Sequence, residues 1–293
     1  MRPDQPSRTA EFNAAFRATE SAKRPSRRLF HDPYAARLLP PGLRLLARTA
    51  AIPIVGRGLT WFVDRRWPGV RTSIVARTRL IDDWVQDAAR AGAEQMFLLG
   101  AGLDSRAWRL PSLARLRIFE VDHPSTSSAK QRRLKQLSAD LAHVRFVQVD
   151  FDREQVADRL AGAGFDPSRR TIVLWDGVTN YLQSEAVDAV VAWAGKLATG
   201  SEFVFTYVHA GALDGTVQFD GATQMLRKVA QSGEPWTFGL RPEKVADYLK
   251  PFGLQLITTL NAAEYRLKTM GPAAQRMRGY EFYNIARAVV VGN

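Results

Sequence analysis

A chain of 293 residues, 46% of them hydrophobic, can bury one sizeable core, and its lack of cysteine excludes disulfides, thiolate catalysis, iron–sulfur clusters and cysteine zinc sites. Its four histidines (His31, His123, His143, His209) show no metal-ligand spacing, so no metal is expected. The net charge of +12 is uneven: residues 1–80 hold 16 Lys and Arg against 5 acidic residues, the remainder 25 against 24. The excess reads as a solvated, Arg-rich N-terminal surface, because no aromatic residues interleave with it as a nucleic-acid module would require. The polar N-terminus lacks the apolar stretch of a signal peptide and no run approaches a membrane span, which leads to an expected cytoplasmic location.

In chain order, a polar arm leads to a helix over 11–23 that Pro25 breaks. Residues 29–67 then offer short apolar stretches cut by Pro and Gly, expected as small cap helices. Residues 72–91 form a long helix, since Ile74, Ala76, Leu80, Ile81, Trp84, Val85 and Ala88 recur near a 3.6-residue period and Gly92 follows as a stop. From there strands and helices alternate. Short apolar runs at 96–99, 117–121, 144–149, 171–175 and 202–208 have the length and β-branched or aromatic content of buried strands. Between them lie helices expected at 125–141, 154–161 and 184–197, the last with Ser184 as its N-cap. A Gly-rich stretch over 209–240, with a helix at 222–231, reads as a lid inserted after the fifth strand. A helix at 242–249 and a hairpin-like pair of strands at 254–260 and 283–291 close the chain. The alternation predicts an α/β, doubly wound, mainly parallel sheet. The domain plan is an arm and helical cap over 1–71 and a core over 72–293.

Four constellations carry chemistry. The first is the loop Gly100-Ala101-Gly102-Leu103-Asp104 between a strand and a helix beginning near Ser105, where glycines let the backbone approach a ligand outside the carboxyl ends of the strands. The second is Phe119-Glu120-Val121-Asp122, about twenty residues on, whose carboxylates are placed to accept both ribose hydroxyls of a nucleoside, Asp122 being nearer the strand end. The third is Asp150-Phe151, suited to an adenine amino group and ring, or to capping the next helix. The fourth runs from Asp176 to Leu182 on the central edge, where a transferred group meets its acceptor: Asp176 suits an ammonium, and Asn180 and Tyr181 suit the acceptor. A nicotinamide-dependent oxidoreductase would want Gly-x-Gly-x-x-Gly, and the third position here holds Arg106 or Ala107. A non-catalytic nucleoside-binding protein is the other alternative.

Taken together, Leu29-Phe30-His31-Asp32-Pro33-Tyr34-Ala35, Arg77-Thr78-Arg79-Leu80-Ile81-Asp82-Asp83, Leu98 through Arg106, Phe119 through Pro124, and Asp176 through Leu182 resemble the leucine carboxyl methyltransferase family of class I methyltransferases, in its actinobacterial branch. The resemblance spans roughly residues 9 to 210. It implies a Rossmann-like seven-stranded sheet and S-adenosylmethionine as cofactor, leaving S-adenosylhomocysteine. By the same resemblance Gly100 meets the methionine portion, Asp122 the ribose, Asp150 and Phe151 the adenine, and Asp176 the amino group. Gly102 and Asp104 complete the cofactor loop, and Arg77 and Lys23 meet the cofactor carboxylate. Methyl transfer is an in-line displacement in which the protein chiefly aligns and excludes water. The chain offers no paired acid and base. His123 suits a structural role better than a catalytic one, while Tyr181, Tyr207 and His209 are the options on the acceptor side. The expected partner is a small acceptor, a carboxylate or phenol with an apolar body. A protein- or tRNA-modifying member of the family is the alternative.

Overall fold

The computed structural model describes residues 7–50, 52–149, 159–160 and 162–292. Among the described residues eight strands share one sheet: β1 (Gln95–Leu99), β2 (Arg117–Asp122), β3 (Val144–Gln148), β4 (Thr171–Trp175), β5 (Glu202–His209), β6 (Gly239–Leu240), β7 (Leu254–Asn261) and β8 (Tyr283–Val290). Their order is β3-β2-β1-β4-β5-β8-β7, with β6 on the end of β5. The first five run parallel, and β8 is antiparallel to both β5 and β7. Strand order reverses between β1 and β4, so their carboxyl ends open the crevice in which such sheets bind ligands.

Both faces of the sheet are covered, which is why the strands read as continuous apolar runs. Met96, Leu98, Ile172, Leu174 and Val204 face the long helix Val70–Arg90 and pack with its Leu80, Ile81, Trp84 and Val85. Phe97, Leu99, Val173, Trp175, Phe203 and Phe205 face the other way, toward Val187, Val191 and Ala194 of helix Ser184–Ala194. The N-terminal segment folds as helices Arg8–Ser21, Ala35–Leu38, Pro41–Thr49 and Pro53–Arg66.

Several boundaries and one connection differ from the sequence reading. Helix Pro124–Lys135 stops short of residue 141, and the helix expected at 154–161 falls almost wholly outside the described residues. Ser184 is the first helical residue rather than the cap: Gln183 holds that position and no side chain caps the end. The last two long strands are not a hairpin. Helix Ala262–Met270 lies between them, started by a capping box in which Asn261 accepts the amides of Ala263 (2.9 Å) and Glu264 (3.1 Å) while Glu264 accepts that of Asn261 (2.7 Å). The two-residue β6, which returns the lid segment to β5, adds an eighth strand to the expected seven.

A buried charge network joins the N-terminal helices to the sheet. Asp82, on the long helix, receives Arg106 Nε at 2.8 Å and both terminal nitrogens of Arg109 at 2.5 and 2.7 Å. Asp32 receives Arg17 Nε at 3.0 Å, Ser105 Oγ at 2.6 Å and the amides of Tyr34 and Ala35. All these charged side chains are nearly or fully buried. Removing one partner leaves the others charged in a low dielectric, so Asp82→Ala is expected to destabilise the fold by about 3–5 kcal/mol in denaturant unfolding. Its neighbour Asp83, exposed and paired with exposed Arg79, provides the control. Asp83→Ala is expected to cost about 1 kcal/mol or less, and equal losses for the two would refute the role given to Asp82.

Candidate functional site

Three strand ends build the site. Leu99 leads into Gly100 and Gly102, both at positive φ (68° and 51°). The amides of Gly100 and Ala101 donate to Val121 O at 2.9 and 3.1 Å, which folds the loop across the end of β2. A Cβ on Gly100 would lie 2.5 Å from Val178 Cγ2, and one on Gly102 would lie 3.0 Å from Ala10 Cβ. Glycine is required at Gly100 by backbone conformation and by close approach together.

Asp122 ends β2, and its carboxylate accepts the amides of Gly102 and, at 2.7 Å, His123. It is buried, 7% exposed, at the edge of the crevice. Glu120 points the same way two residues earlier but is taken by Lys130, 2.6 Å from Oε2, with Oε1 left unpartnered. Burial pushes the Glu120 carboxyl up to about 7 against the pull of Lys130. The structure therefore separates the two acids: Glu120 belongs to an internal pair, and Asp122 holds the loop. Asp104 accepts the Arg106 amide at 2.7 Å and pairs with its guanidinium. Burial acts to raise its carboxyl, but Arg106 and Arg17 outweigh it and hold the group well below the ordinary range. Asp104 thus braces the loop from behind.

At the end of β4, Asp176 lies 2.9 Å from Arg77 Nε. Arg77 is 4% exposed, rises from the middle of the long helix, and sets its guanidinium 4.8 Å from the Tyr283 ring centre. Burial opposes its charge, but Asp176 together with Tyr283, Tyr265 and Tyr280 outweighs burial and holds its pKa above the ordinary range. Thr206 Oγ1 accepts the Gly177 amide at 2.7 Å and lies 3.5 Å from Asp176, fixing the turn. Two residues expected to meet the cofactor's ammonium and its carboxylate are therefore one ion pair. Lys23, two residues past the first helix, pairs with buried Glu20. Asp150 and Phe151 lie outside the described residues.

The edge expected to meet the acceptor is aromatic. Trp236 packs edge-on to Tyr181 with ring centres 6.3 Å apart and against Phe282 and Tyr283 at 6.3 and 6.1 Å, while Tyr280 stacks on Tyr283 at 5.3 Å. Buried Asn180 is 3.5 Å from the Tyr283 hydroxyl. Sequence reading missed Trp236, Tyr280 and Tyr283, because β8 is the last strand in the chain yet inserts beside β5. It also missed Arg17, Asp32, Asp82 and Arg109, although the motif residues Asp32 and Asp82 stood in plain view.

The other acceptor-side residues are occupied. Tyr207 is fully buried on the opposite face of β5 from Thr206, its hydroxyl 2.6 Å from Thr259 Oγ1, and burial raises its phenol well above the ordinary range. His209 caps the helix Ala210–Leu213 by accepting the Gly211 amide on Nδ1 at 3.0 Å and packs on Phe219. Burial pushes its pKa down, and accepting on Nδ1 puts the proton of the neutral ring on Nε2. That leaves no open lone pair on the imidazole. His123 likewise caps its helix at Ser125. Among the described residues no group of acidic or histidine side chains could hold a metal ion, and no helix is long and apolar enough to cross a membrane.

The profile of the family described as leucine carboxyl methyltransferase matches residues 10–195. A Frankia alni protein named "putative S-adenosyl-L-methionine-dependent methyltransferase" is 35% identical over 208 residues, 70% of each chain. A Mycobacterium tuberculosis protein of the same name is 30% identical over 291 residues, covering 91% of this chain and 78% of that one. Among solved structures, a DUF574 family protein from Streptomyces avermitilis shares the fold, with a TM-score of 0.57 at 15% identity over 94% of this chain and 97% of that one. The chain belongs to the leucine carboxyl methyltransferase family and is an S-adenosylmethionine-dependent methyltransferase.

Proposed function

We propose that this enzyme methylates oxygen, and specifically a carboxylate on a small acceptor with an aromatic or apolar body. The observation that carries the reading is the state of the acceptor edge. Tyr207 and His209 are committed to internal hydrogen bonds and Tyr181 packs on Trp236, so none of these three is set up as a general base. A carboxylate is already ionised at neutral pH and needs none, whereas a phenol or alcohol benefits from one. The ring cluster of Tyr181, Trp236, Phe282 and Tyr283 suits an apolar acceptor body.

The residues present fit the cofactor. Arg77 and Asp176 set a positive and a negative charge side by side, matching the carboxylate and ammonium of an amino-acid end. Gly100, packed against Val178, lets the loop turn beside that end, and Asp122 at the close of β2 would hold the ribose. Asp150 and Phe151 are proposed for the adenine, as the family resemblance implies, and Lys23 for the carboxylate. When bound, the cofactor supplies an electrophilic methyl on a sulfonium. The chain's own residues then bind, orient and exclude water, with no proton moved by the protein. The comparisons give the nicotinamide alternative no support, since the family and the relatives are methyltransferases.

Three outcomes test this. S-adenosylhomocysteine should stabilise the enzyme in thermal unfolding and NAD(P) should not; at a hundredfold excess over Kd the gain is about 2.7 kcal/mol. By calorimetry Asp122→Ala and Arg77→Met should each weaken cofactor binding at least about tenfold; unchanged affinity removes that residue's assigned role. With methyl-labelled cofactor and pooled metabolic acids, the product should be an ester cleaved by mild base. The rate should be flat over roughly pH 6–8, where a carboxylate stays ionised. A base-stable product, or a rate climbing through that range, identifies a phenol or alcohol acceptor instead.

A further inference from the structure

The helix Pro53–Arg66 has no buried residue among those whose side chains are described. Its exposed side chains are large and apolar: Ile54 is 81% exposed, Trp61 66%, Phe62 55% and Val55 43%. With Leu45, Leu46 and Ile52 just before it, this segment holds seven of the eleven exposed large hydrophobics among the described residues, so they form a patch and are not scattered singly. At 100° per residue Ile54, Val55, Gly58, Trp61 and Phe62 fall within an arc of roughly 120°, with Arg57 and Arg66 at its margins and Arg65 inside it. Arg57, Arg65 and Arg66 are exposed. The only acid from 41 to 66 is Asp64, and Arg71 takes both of its oxygens, at 2.6 and 2.9 Å.

A helix of 14 residues with no fully buried side chain among those described is marginal in water. Here it is held near its carboxyl end, by the Arg71–Asp64 pair and by Lys228 over the Trp67 ring at 3.9 Å, while its apolar arc stays outward. A second copy is a poor occupant, since a twofold interface sets the patch against itself and opposes like charges. Outward Trp, Phe and Ile flanked by Arg, with no unpaired acid, match an anionic lipid surface: rings enter the headgroup boundary and guanidinium groups meet phosphates.

We infer that helix Pro53–Arg66 is an interfacial docking surface that seats this enzyme on anionic lipid membranes. The full chain should float with vesicles of phosphatidylcholine containing about one third phosphatidylglycerol and should not float with phosphatidylcholine alone. Added salt should weaken the binding. Trp61→Ser with Phe62→Ser, and separately Arg57→Glu with Arg65→Glu, should each lower partitioning at least about tenfold. Affinity for S-adenosylhomocysteine should stay unchanged in both, because none of these residues is in the cofactor site. No flotation with the anionic vesicles overturns the inference, as does flotation undiminished in either double variant. A dimer of the unaltered chain in sedimentation that Trp61→Ser with Phe62→Ser dissolves would overturn it in favour of a contact between copies.

Discussion

The structure depends on keeping two carboxylates charged where water does not reach. Asp32 and Asp82 together receive Arg17, Arg106 and Arg109, which come from two separate pieces of chain. Arg17 lies on the first helix and also donates to Leu103 O at 2.5 Å, so the N-terminal segment is bolted to the loop that follows Gly102. Arg106 and Arg109 sit on the short helix directly after that loop. A buried ion network is costly to assemble and costlier to leave incomplete, so it admits few arrangements of its members. Here the arrangement it selects places the first helix across the glycine loop, where Ala10 closes on Gly102.

The same logic, in smaller form, shapes the reacting end of the site. Arg77 is carried by the long helix and Asp176 by the turn after β4, and their pairing ties the helix layer to the central strand edge. The two charges offset each other, and both are proposed for the amino-acid end of the cofactor. Tyr283, Tyr280 and Tyr265 wall the guanidinium on its other sides and keep solvent away.

The aromatic cluster proposed to meet the acceptor joins one family motif to parts of the chain far from it. Trp236 comes from the segment between β5 and β6, Tyr280 and Tyr283 from the entry to β8, and Asn180 and Tyr181 from the turn after β4. Thr237 N donates to Asn180 O at 2.8 Å, so the lid segment is hydrogen-bonded to the edge of the site at which the acceptor is proposed to enter.

Much of this was legible in the linear chain. The five parallel strands were read within a residue of their observed ends, because buried strands must be apolar on both faces and short. Gly100, Asp122 and Asp176 were found because strand-end positions follow directly from strand boundaries. The capping box at Asn261 and Glu264 was equally visible and would have revealed helix Ala262–Met270. What the chain could not display was pairing between distant charges. Asp82 and Arg106 are both common residue types on helices, and only packing makes one the buried partner of the other. Likewise Tyr207 and His209 sit where an acceptor-side base would be sought. Strand pleat turns Tyr207 toward Thr259, and the local helix start takes the His209 lone pair. Local spacing determined the strand ends at which the residues proposed for the cofactor stand. Tertiary packing alone decided which charges are buried together and which side chains face the acceptor, since those depend on contacts between residues up to about two hundred positions apart, as Ser73 and Tyr265 illustrate.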